Sequence, residues 1–185
     1  MTVRAERAVA TLAMPGETDA RRFASIHGRY CAGIWRYVRR LGLTGAEADD
    51  AVQQVFVVVA QRLGTIRPES ERSFVYEAAS RVASDVRRRA ARRYEVEEVE
   101  EHAGSEPAPD ALLEERRRRT LLDSILAALP DDLREVFVLF EIEELPMREI
   151  AEVVGIPPGT VASRIRRARE EFQKRIERLR KEGLA

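Results

Sequence analysis

The sequence predicts an all-α protein of two small helical domains joined by an acidic flexible linker. Aromatic residues make up 6% of the 185 residues and glycines number ten, a composition that disfavours a β-sandwich or a barrel. Apolar residues recur at helical spacing in several segments, and a hydrophobic content of 44% is enough to bury a core. An acidic stretch containing Pro107 and Pro109 divides these segments into two groups, which indicates two domains.

The start of the chain and its cysteine and histidine content limit the protein classes to consider. Residues 1–18 are expected to form a flexible tail that is not a signal peptide. The longest uninterrupted apolar run, at 55–60, has six residues, whereas a membrane span needs about 20. Cys31 is the only cysteine, and His27 and His102 are the only histidines. We therefore expect a soluble cytoplasmic protein that is not an enzyme and holds no metal or cofactor.

The first domain, residues 19–93, is predicted to contain three helices. Apolar positions at helical spacing end at Leu41, and Gly42 follows as a plausible C-cap. Thr44 and Glu47 have the spacing of a capping box, which predicts that a second helix begins there. The predicted helices span about residues 19–41, 45–63 and 73–93, with a loop at 64–72.

Charge is segregated along the chain although its formal net charge is +0. Residues 81–93 contain six Arg and one Asp, and residues 95–115 contain nine acidic residues and no Lys or Arg. This acidity, with the nearby Gly and Pro residues, predicts that residues 94–118 form a flexible linker. In the free protein, the linker acids are expected to fold back on the basic stretches.

The second domain, residues 119–182, contains a helix-turn-helix pattern. Gly155 permits the positive φ that the turn requires. Pro157 and Pro158 cannot continue the first helix, but a proline can occupy the opening turn of the second helix. Thr160 is well placed to cap that second helix or to contact a phosphate at its N-terminus.

The helix after this turn has two faces. Val161, Ile165 and Ala168 share an apolar side. A recognition helix needs such a side as an anchor, because its basic side must enter a major groove about 12 Å wide. The alternative is a basic surface helix in an ordinary bundle, and the Gly-x-Pro turn favours DNA binding over it. The polar side carries Ser163, Arg164, Arg166, Arg167 and Arg169.

Three segments resemble bacterial sigma-70-family sigma factors, above all the extracytoplasmic-function (ECF) group. LPDDLREVFVLFEIEELPMREIAEVVGIPPGTVASRIRRAREEF, at 129–172, resembles sigma region 4. ADDAVQQVFVVVAQRL (48–63) and SFVYEAASRVASDVRRRAARR (73–93) resemble sigma region 2. The chain departs from the family pattern at single positions. Phe74 stands where the family usually has Trp, and Glu144 stands where it usually has Gly.

The resemblance implies a protein that binds core RNA polymerase and directs initiation at promoters. The first domain would contact the β′ clamp helices, and the second would contact the β flap. The residues implied for the minus-35 element are Arg148, Thr160, Ser163, Arg164 and Arg167. Those implied for the minus-10 element are Phe74, Tyr76, Arg81, Asp85, Arg87 and Arg88. Those implied for core polymerase are Asp49, Asp50, Gln53 and Gln54.

Simpler roles exist for some of these residues. Asp49 and Asp50 lie in the first turn of a predicted helix, where carboxylates stabilise the positive end of the helix dipole. Asp85 is better suited to orient a neighbouring Arg than to touch DNA.

Two other classes of protein fit the same sequence. One is a helix-turn-helix regulator that is not a polymerase subunit. The other is a helical adaptor whose basic helices bind an acidic partner. A partner anti-sigma factor is common in the ECF group and is therefore implied as a possible regulator.

Overall fold

The computed structural model describes residues 16–94 and 110–182, and the side chains of 16–92 and 117–182. Seven α-helices and no strand occupy these residues. Short 3-10 turns at Leu63–Thr65 and Pro68–Ser70 connect α2 to α3. The helices are α1 (Glu17–Arg40), α2 (Gly45–Arg62), α3 (Glu71–Tyr94), α4 (Asp110–Ala127), α5 (Asp131–Phe137), α6 (Met147–Val154) and α7 (Pro158–Lys181).

Helices α1, α2 and α3 form the first domain, and their ends follow the predicted local signals. Gly42 has φ +102° directly after α1, a conformation that residues with a side chain rarely adopt. The hydroxyl of Thr44 accepts from the Glu47 backbone N–H, and the Glu47 carboxylate accepts from the Thr44 N–H at 2.8 Å. The predicted capping box is therefore confirmed.

Buried polar contacts hold the connection between α2 and α3. Arg22 of α1 donates to the backbone carbonyls of Leu63 and Ile66 at 3.0 and 2.6 Å. Glu71, which is buried at the start of α3, accepts from Arg29 at 2.8 Å. Helix α3 begins two residues earlier than expected, because these contacts to α1 stabilise its first turn.

Part of the predicted linker is helical. Helix α4 starts at Asp110, so the last part of the predicted linker, residues 110–118, is helical. Residues 95–109, with the acids expected to fold back, lie outside the described residues. The predicted tail loses its last two residues to α1, and residues 1–15 also lie outside the described part of the chain.

Helix α5 continues directly into a π-helical segment, Val138–Ile142, that ends in a strained turn. Glu144 has φ +53°, the left-handed region in which glycine is favoured. This geometry explains why glycine is usual at this position in the family that the sequence resembles. The backbone N–H of Leu145 then donates to the Leu139 carbonyl at 2.9 Å, which closes the turn before α6.

The helix-turn-helix has the predicted form, with one correction. Gly155 ends α6 with φ +70°, and Pro158 is the first residue of α7. The prediction that Thr160 caps α7 is wrong. Pro157 is the N-cap residue, and no side chain caps the helix. Thr160 lies one turn in, where its backbone N–H donates to the Pro157 carbonyl.

Helix α3 is buried on two sides, so the two domains share one continuous hydrophobic core. The helical spacing of Phe74, Ala78, Val82 and Val86 predicts one apolar side for α3, and Ala78 and Val82 are buried. Val75, Ala79 and Ala83 are also buried, and α3 packs against α6 as well as against α1 and α2. Helical spacing did not predict this packing of one domain on the other.

Arg134, on α5, ties the domains together from a buried position. Its side chain donates to the carbonyls of Leu126, Ala127 and Leu129 at the end of α4. It also donates to the Leu41 carbonyl at the end of α1, at 3.1 Å. Burial lowers the pKa of the guanidinium, since its surroundings disfavour charge. One planar cation thus binds carbonyls at the ends of two helices at once.

Replacing Arg134 by Ala should lower the free energy of unfolding by about 2–4 kcal/mol, because buried carbonyls lose their donor. The free energy of unfolding of Arg134→Lys should lie between those of the parent and of Arg134→Ala, since an ammonium lacks the planar fork of the guanidinium. Urea denaturation followed by circular dichroism measures the change. Arg178→Ala, on the exposed side of α7, is the matched control. A loss for Arg134→Ala as small as a surface substitution, about 0.5 kcal/mol, would contradict this role.

Candidate nucleic-acid and polymerase interfaces

Helix α7 presents the two faces that the sequence predicted. Val161, Ile165 and Ala168 are buried against the rest of the second domain. Arg166 and Arg167 are exposed on the opposite side. Because the apolar side is held in the core, the basic side has a fixed orientation, which a helix that enters a DNA groove requires.

The residues implied for the minus-35 element lie on both helices of this motif. Arg148 is the most exposed, on α6, and lies 3.7 Å from Glu152. Arg164 is half-buried, and its Nε lies 3.5 Å from the Asp132 carboxylate of α5. Ser163 is exposed and donates to the Thr160 carbonyl. Arg167 and Ser163 are therefore the residues of this set that point most openly to solvent on α7.

A groove with an apolar floor lies beside the recognition helix. It has a volume of about 360 Å³ and is bounded by α7, by the π-helical segment and by the start of α6. Met147 is 45% exposed at its edge, which is unusual for a large apolar side chain. The guanidinium of Arg169 stacks over the Phe140 ring and ion-pairs with Glu141. The sequence pattern did not predict this groove, because its walls come from three separate segments.

The residues implied for the minus-10 element divide into two groups on α3. Arg81, Asp85 and Arg88 lie on the solvent side, where Arg88 pairs with Asp85 as expected. Arg81 pairs with Glu77, one turn away. Phe74 is half-buried against the hydrophobic core. The second group contains Tyr76 and Arg87, which the second domain covers.

Tyr76 lies between the two domains and is 4% exposed. Its hydroxyl donates to the Glu143 carboxylate at 2.6 Å. Tyr37 makes a matching contact, since its hydroxyl donates to Glu135 at 3.2 Å. Burial, together with the adjacent carboxylate, raises the pKa of each tyrosine well above its usual value. Both hydroxyls therefore stay protonated and act as donors to acids of the second domain.

Arg87 is the other covered residue. Its guanidinium donates to the Leu41 carbonyl at 3.0 Å and lies 3.7 Å from the Asp131 carboxylate. The described structure therefore holds Arg87 against both the end of α1 and the start of α5, rather than open to solvent.

An exposed face of α2 carries the residues implied for core polymerase. Asp50, Gln53 and Gln54 are exposed and share one side of the helix. Val57, one turn further on, is 54% exposed and completes that side. Val57 was not among the residues predicted for this face, although its spacing of three and four residues from the glutamines is a usable signal. Asp49 differs from the rest, because it accepts from Trp35 Nε1 at 2.8 Å.

Within the described ranges, no group of three His, Cys, Asp or Glu side chains could hold a metal ion. Across the same ranges, none of the helices is both long and apolar enough to cross a membrane.

Comparison with known proteins agrees with this arrangement. The family described as Sigma-70 region 2 matches residues 27–93, and the family described as Sigma-70, region 4 matches residues 119–172. The ECF RNA polymerase sigma factor SigW of Bacillus subtilis is 31% identical over 173 residues, which cover 87% of this chain and 91% of SigW. The chain belongs to the ECF group of sigma-70-family sigma factors. It is therefore a sigma factor that binds core RNA polymerase and directs initiation at promoters.

Other relatives of this sigma factor cover its length to different degrees. The RNA polymerase sigma-H factor of Pseudomonas aeruginosa is 31% identical, over 89% of this chain and 91% of that protein. The ECF sigma factor SigE of Mycolicibacterium smegmatis is 29% identical, over 76% of this chain. The sigma factor spans only 56% of the length of that SigE.

Solved structures share the fold. CnrH, in complex with the cytosolic domain of CnrY, has a TM-score of 0.65 and 24% identity over 85% of this chain and 89% of that chain. The sigma factor RpoE of Bartonella quintana, in complex with the anti-sigma factor NepR, has a TM-score of 0.67 and 18% identity over 85% and 98%.

Proposed function

We propose that this ECF sigma factor reads the minus-35 element with α7 and the minus-10 element with α3, and binds core polymerase through α2. The observation that carries this proposal is the two-faced α7, whose apolar side is buried and whose basic side is exposed. The sigma factor does no chemistry itself and holds no metal or cofactor. It acts in the cytoplasm, where its DNA and polymerase are.

The minus-35 contacts are best assigned by exposure. Arg167 is exposed on α7, and an arginine at this place can donate to both acceptors of a guanine edge. Arg164 lies at the border of the helix and is partly neutralised by Asp132. Thr160 and Ser163, in the opening turns of α7, are placed to contact a phosphate at the helix N-terminus.

Replacing Arg167 by Ala should cost about 1–3 kcal/mol in minus-35 recognition and relax the sequence preference at one position. Arg164→Ala should give a similar loss if its guanidinium leaves Asp132 for the DNA. Run-off transcription on promoters with varied minus-35 sequences measures both effects. Arg178→Ala, on the same helix but two turns beyond the basic face, is the control. Unchanged transcription for both variants would exclude this face as the reader.

Core binding is assigned to the exposed face of α2. Asp50, Gln53, Gln54 and Val57 combine a charge, two amides and an apolar centre. A mixed patch of this kind is typical of an interface with an apolar centre and a polar rim. Asp49 has a second role, because its bond to Trp35 joins α2 to α1.

The charge reversal Asp50→Lys, combined with Val57→Asp, should weaken binding to core polymerase by at least about tenfold, equal to 1.4 kcal/mol. The fold should be retained, because both side chains are exposed. A titration with fluorescently labelled core measures the affinity. Asp19→Lys, in the exposed first turn of α1, makes the same aspartate-to-lysine reversal away from this face. Equal affinity of the double variant and the parent would refute α2 as the polymerase contact.

The groove beside Met147 is the proposed site for the β flap of core polymerase. Its apolar floor and basic edge, formed by Phe140, Ile165 and Arg169, suit an apolar segment with acidic neighbours. A partner anti-sigma factor is proposed as the regulator. RpoE of Bartonella quintana, a structural neighbour, was solved with the anti-sigma factor NepR, which supports this assignment.

Two other functions would give different results with the purified protein. A helix-turn-helix regulator would bind duplex DNA without polymerase, and an adaptor would bind no DNA. Promoter-specific transcription from purified core polymerase, dependent on the added sigma factor, separates the three.

A further inference from the structure

A row of hydrogen-bond donors runs along one side of α3. Arg72, Tyr76, Ser80 and Arg87 are separated by four, four and seven residues. These intervals place them on a single helix face. Each of the four contacts the second domain, and together they form what we call the donor row.

A matching row of acids lies on the second domain. Asp131 and Glu135 are one turn apart on α5, and Glu143 follows the π-helical segment. Asp131 pairs with Arg87, and Glu135 accepts from Ser80. We call these three residues the acid row.

Glu143 accepts hydrogen bonds from several residues of the first domain. Its carboxylate accepts from Arg40 at 3.1 Å and from Tyr76 at 2.6 Å. Its backbone carbonyl accepts from Arg72. The Glu143 side chain is 9% exposed, so water does not compete with these donors. The two rows run antiparallel, since residue numbers increase along the acid row in the direction in which they decrease along the donor row.

The donor row overlaps with the residues proposed to contact the minus-10 element. Tyr76 and Arg87 belong to both sets. A carboxylate and a phosphate oxygen accept hydrogen bonds from the same donors, and arginine binds both. A donor that holds an acid of the second domain is therefore not available to a DNA phosphate.

We propose that the acid row occupies, in the free sigma factor, the place that backbone phosphates of the minus-10 strand take in the promoter complex. The inference rests on the proposed role of α3 in minus-10 binding. The closed sigma factor then has low affinity for single-stranded DNA. Separation of the domains exposes the donor row to nucleic acid.

The first test removes the charge of two acids by replacing Glu135 and Glu143 with Gln. The probe is a fluorescein-labelled oligothymidylate, because phosphates carry no sequence information. Weakening the closed state increases the competent fraction, so the affinity should rise by about three- to tenfold at low salt. The gain should shrink at high salt. Small-angle scattering should show a larger radius of gyration, with the helical content unchanged.

The control replaces Glu144 and Glu177 with Gln. Both side chains are exposed and lie outside the acid row, so the net charge changes equally while the acid row stays intact. If the control variant and the test variant gain the same affinity for the oligothymidylate, the change in net charge explains the effect and the proposal fails. The proposal also fails if the test variant binds the oligothymidylate no more tightly than the parent.

The second test asks whether the exposed donors bind the strand. When Arg72→Gln and Arg87→Gln are added to the Glu135→Gln, Glu143→Gln variant, they should reverse its gain in affinity for the oligothymidylate. Arg89→Gln with Arg92→Gln, which removes two exposed arginines of the same helix outside the row, should reverse it less. If both pairs of Arg→Gln substitutions lower the oligothymidylate affinity equally, closure masks α3 as a whole and the donor row is not a phosphate site. If the Glu135→Gln, Glu143→Gln variant binds core polymerase more tightly than the parent but shows no higher affinity for the oligothymidylate, the donor row contacts a protein partner instead of phosphates.

Transcription separates this inference from the function itself. If the parent sigma factor fails to start transcription with core polymerase, the proposed function fails whatever the oligonucleotide binding shows. If the parent is active, preassembled holoenzyme with the acid variant should initiate at the parent rate, because its domains are already apart. A severalfold loss of that rate would contradict a role confined to the free protein.

Discussion

The whole arrangement depends on the burial of α3 from two sides. One side packs on α1 and α2 and completes the first domain, while Val75, Ala79 and Ala83 lie on further buried surface. If α3 were solvated beyond its first apolar side, the contact between the domains would be reduced to that of α1 with α4 and with the π-helical segment. The small residues Ala79 and Ala83 allow close approach of the neighbouring helices.

The polar contacts between the domains differ in chemical kind from the shared core. Arg134 donates to carbonyls of α1 and α4, a set of bonds that only the closed arrangement completes. Glu135 and Glu143 are held by hydroxyls and by arginine. Interfaces between domains that move resemble transient protein interfaces in being polar. This composition suits a protein that is stable alone and must still open when polymerase and DNA bind.

The balance of charge has a structural meaning in this sigma factor. The chain is neutral as a whole, with basic residues concentrated on α3 and α7. The sequence suggested that acids of the linker fold back on these helices. In the described structure, three acids of the second domain contact α3, namely Asp131, Glu135 and Glu143. Intramolecular acids and DNA phosphates compete for the same cations, which is consistent with an electrostatic control of DNA binding.

Features set by a few neighbouring residues were predictable, whereas contacts between distant residues were not. Gly42, the Thr44–Glu47 capping box and Gly155 each act within one turn of the chain, so spacing and φ preference identify them. Thr160 is the local exception, since a proline N-cap left its hydroxyl no capping role. The α2 and α7 faces followed from helical period, because exposure alternates with burial on a regular helix.

The sequence by itself determined the all-helical class, the turns at Gly42 and Gly155, the helix-turn-helix and the family. Only the tertiary structure decided that Tyr76 and Arg87 are covered and that Arg134 is buried. The residues that meet there are far apart in sequence: Tyr76 lies 67 positions from Glu143, and Leu41 lies 93 positions from Arg134. Helical period reports which side of a helix is apolar, but it does not report which other element covers that side. That outcome depends on how two preformed domains fit together in space, through shape, small residues and paired charges at once.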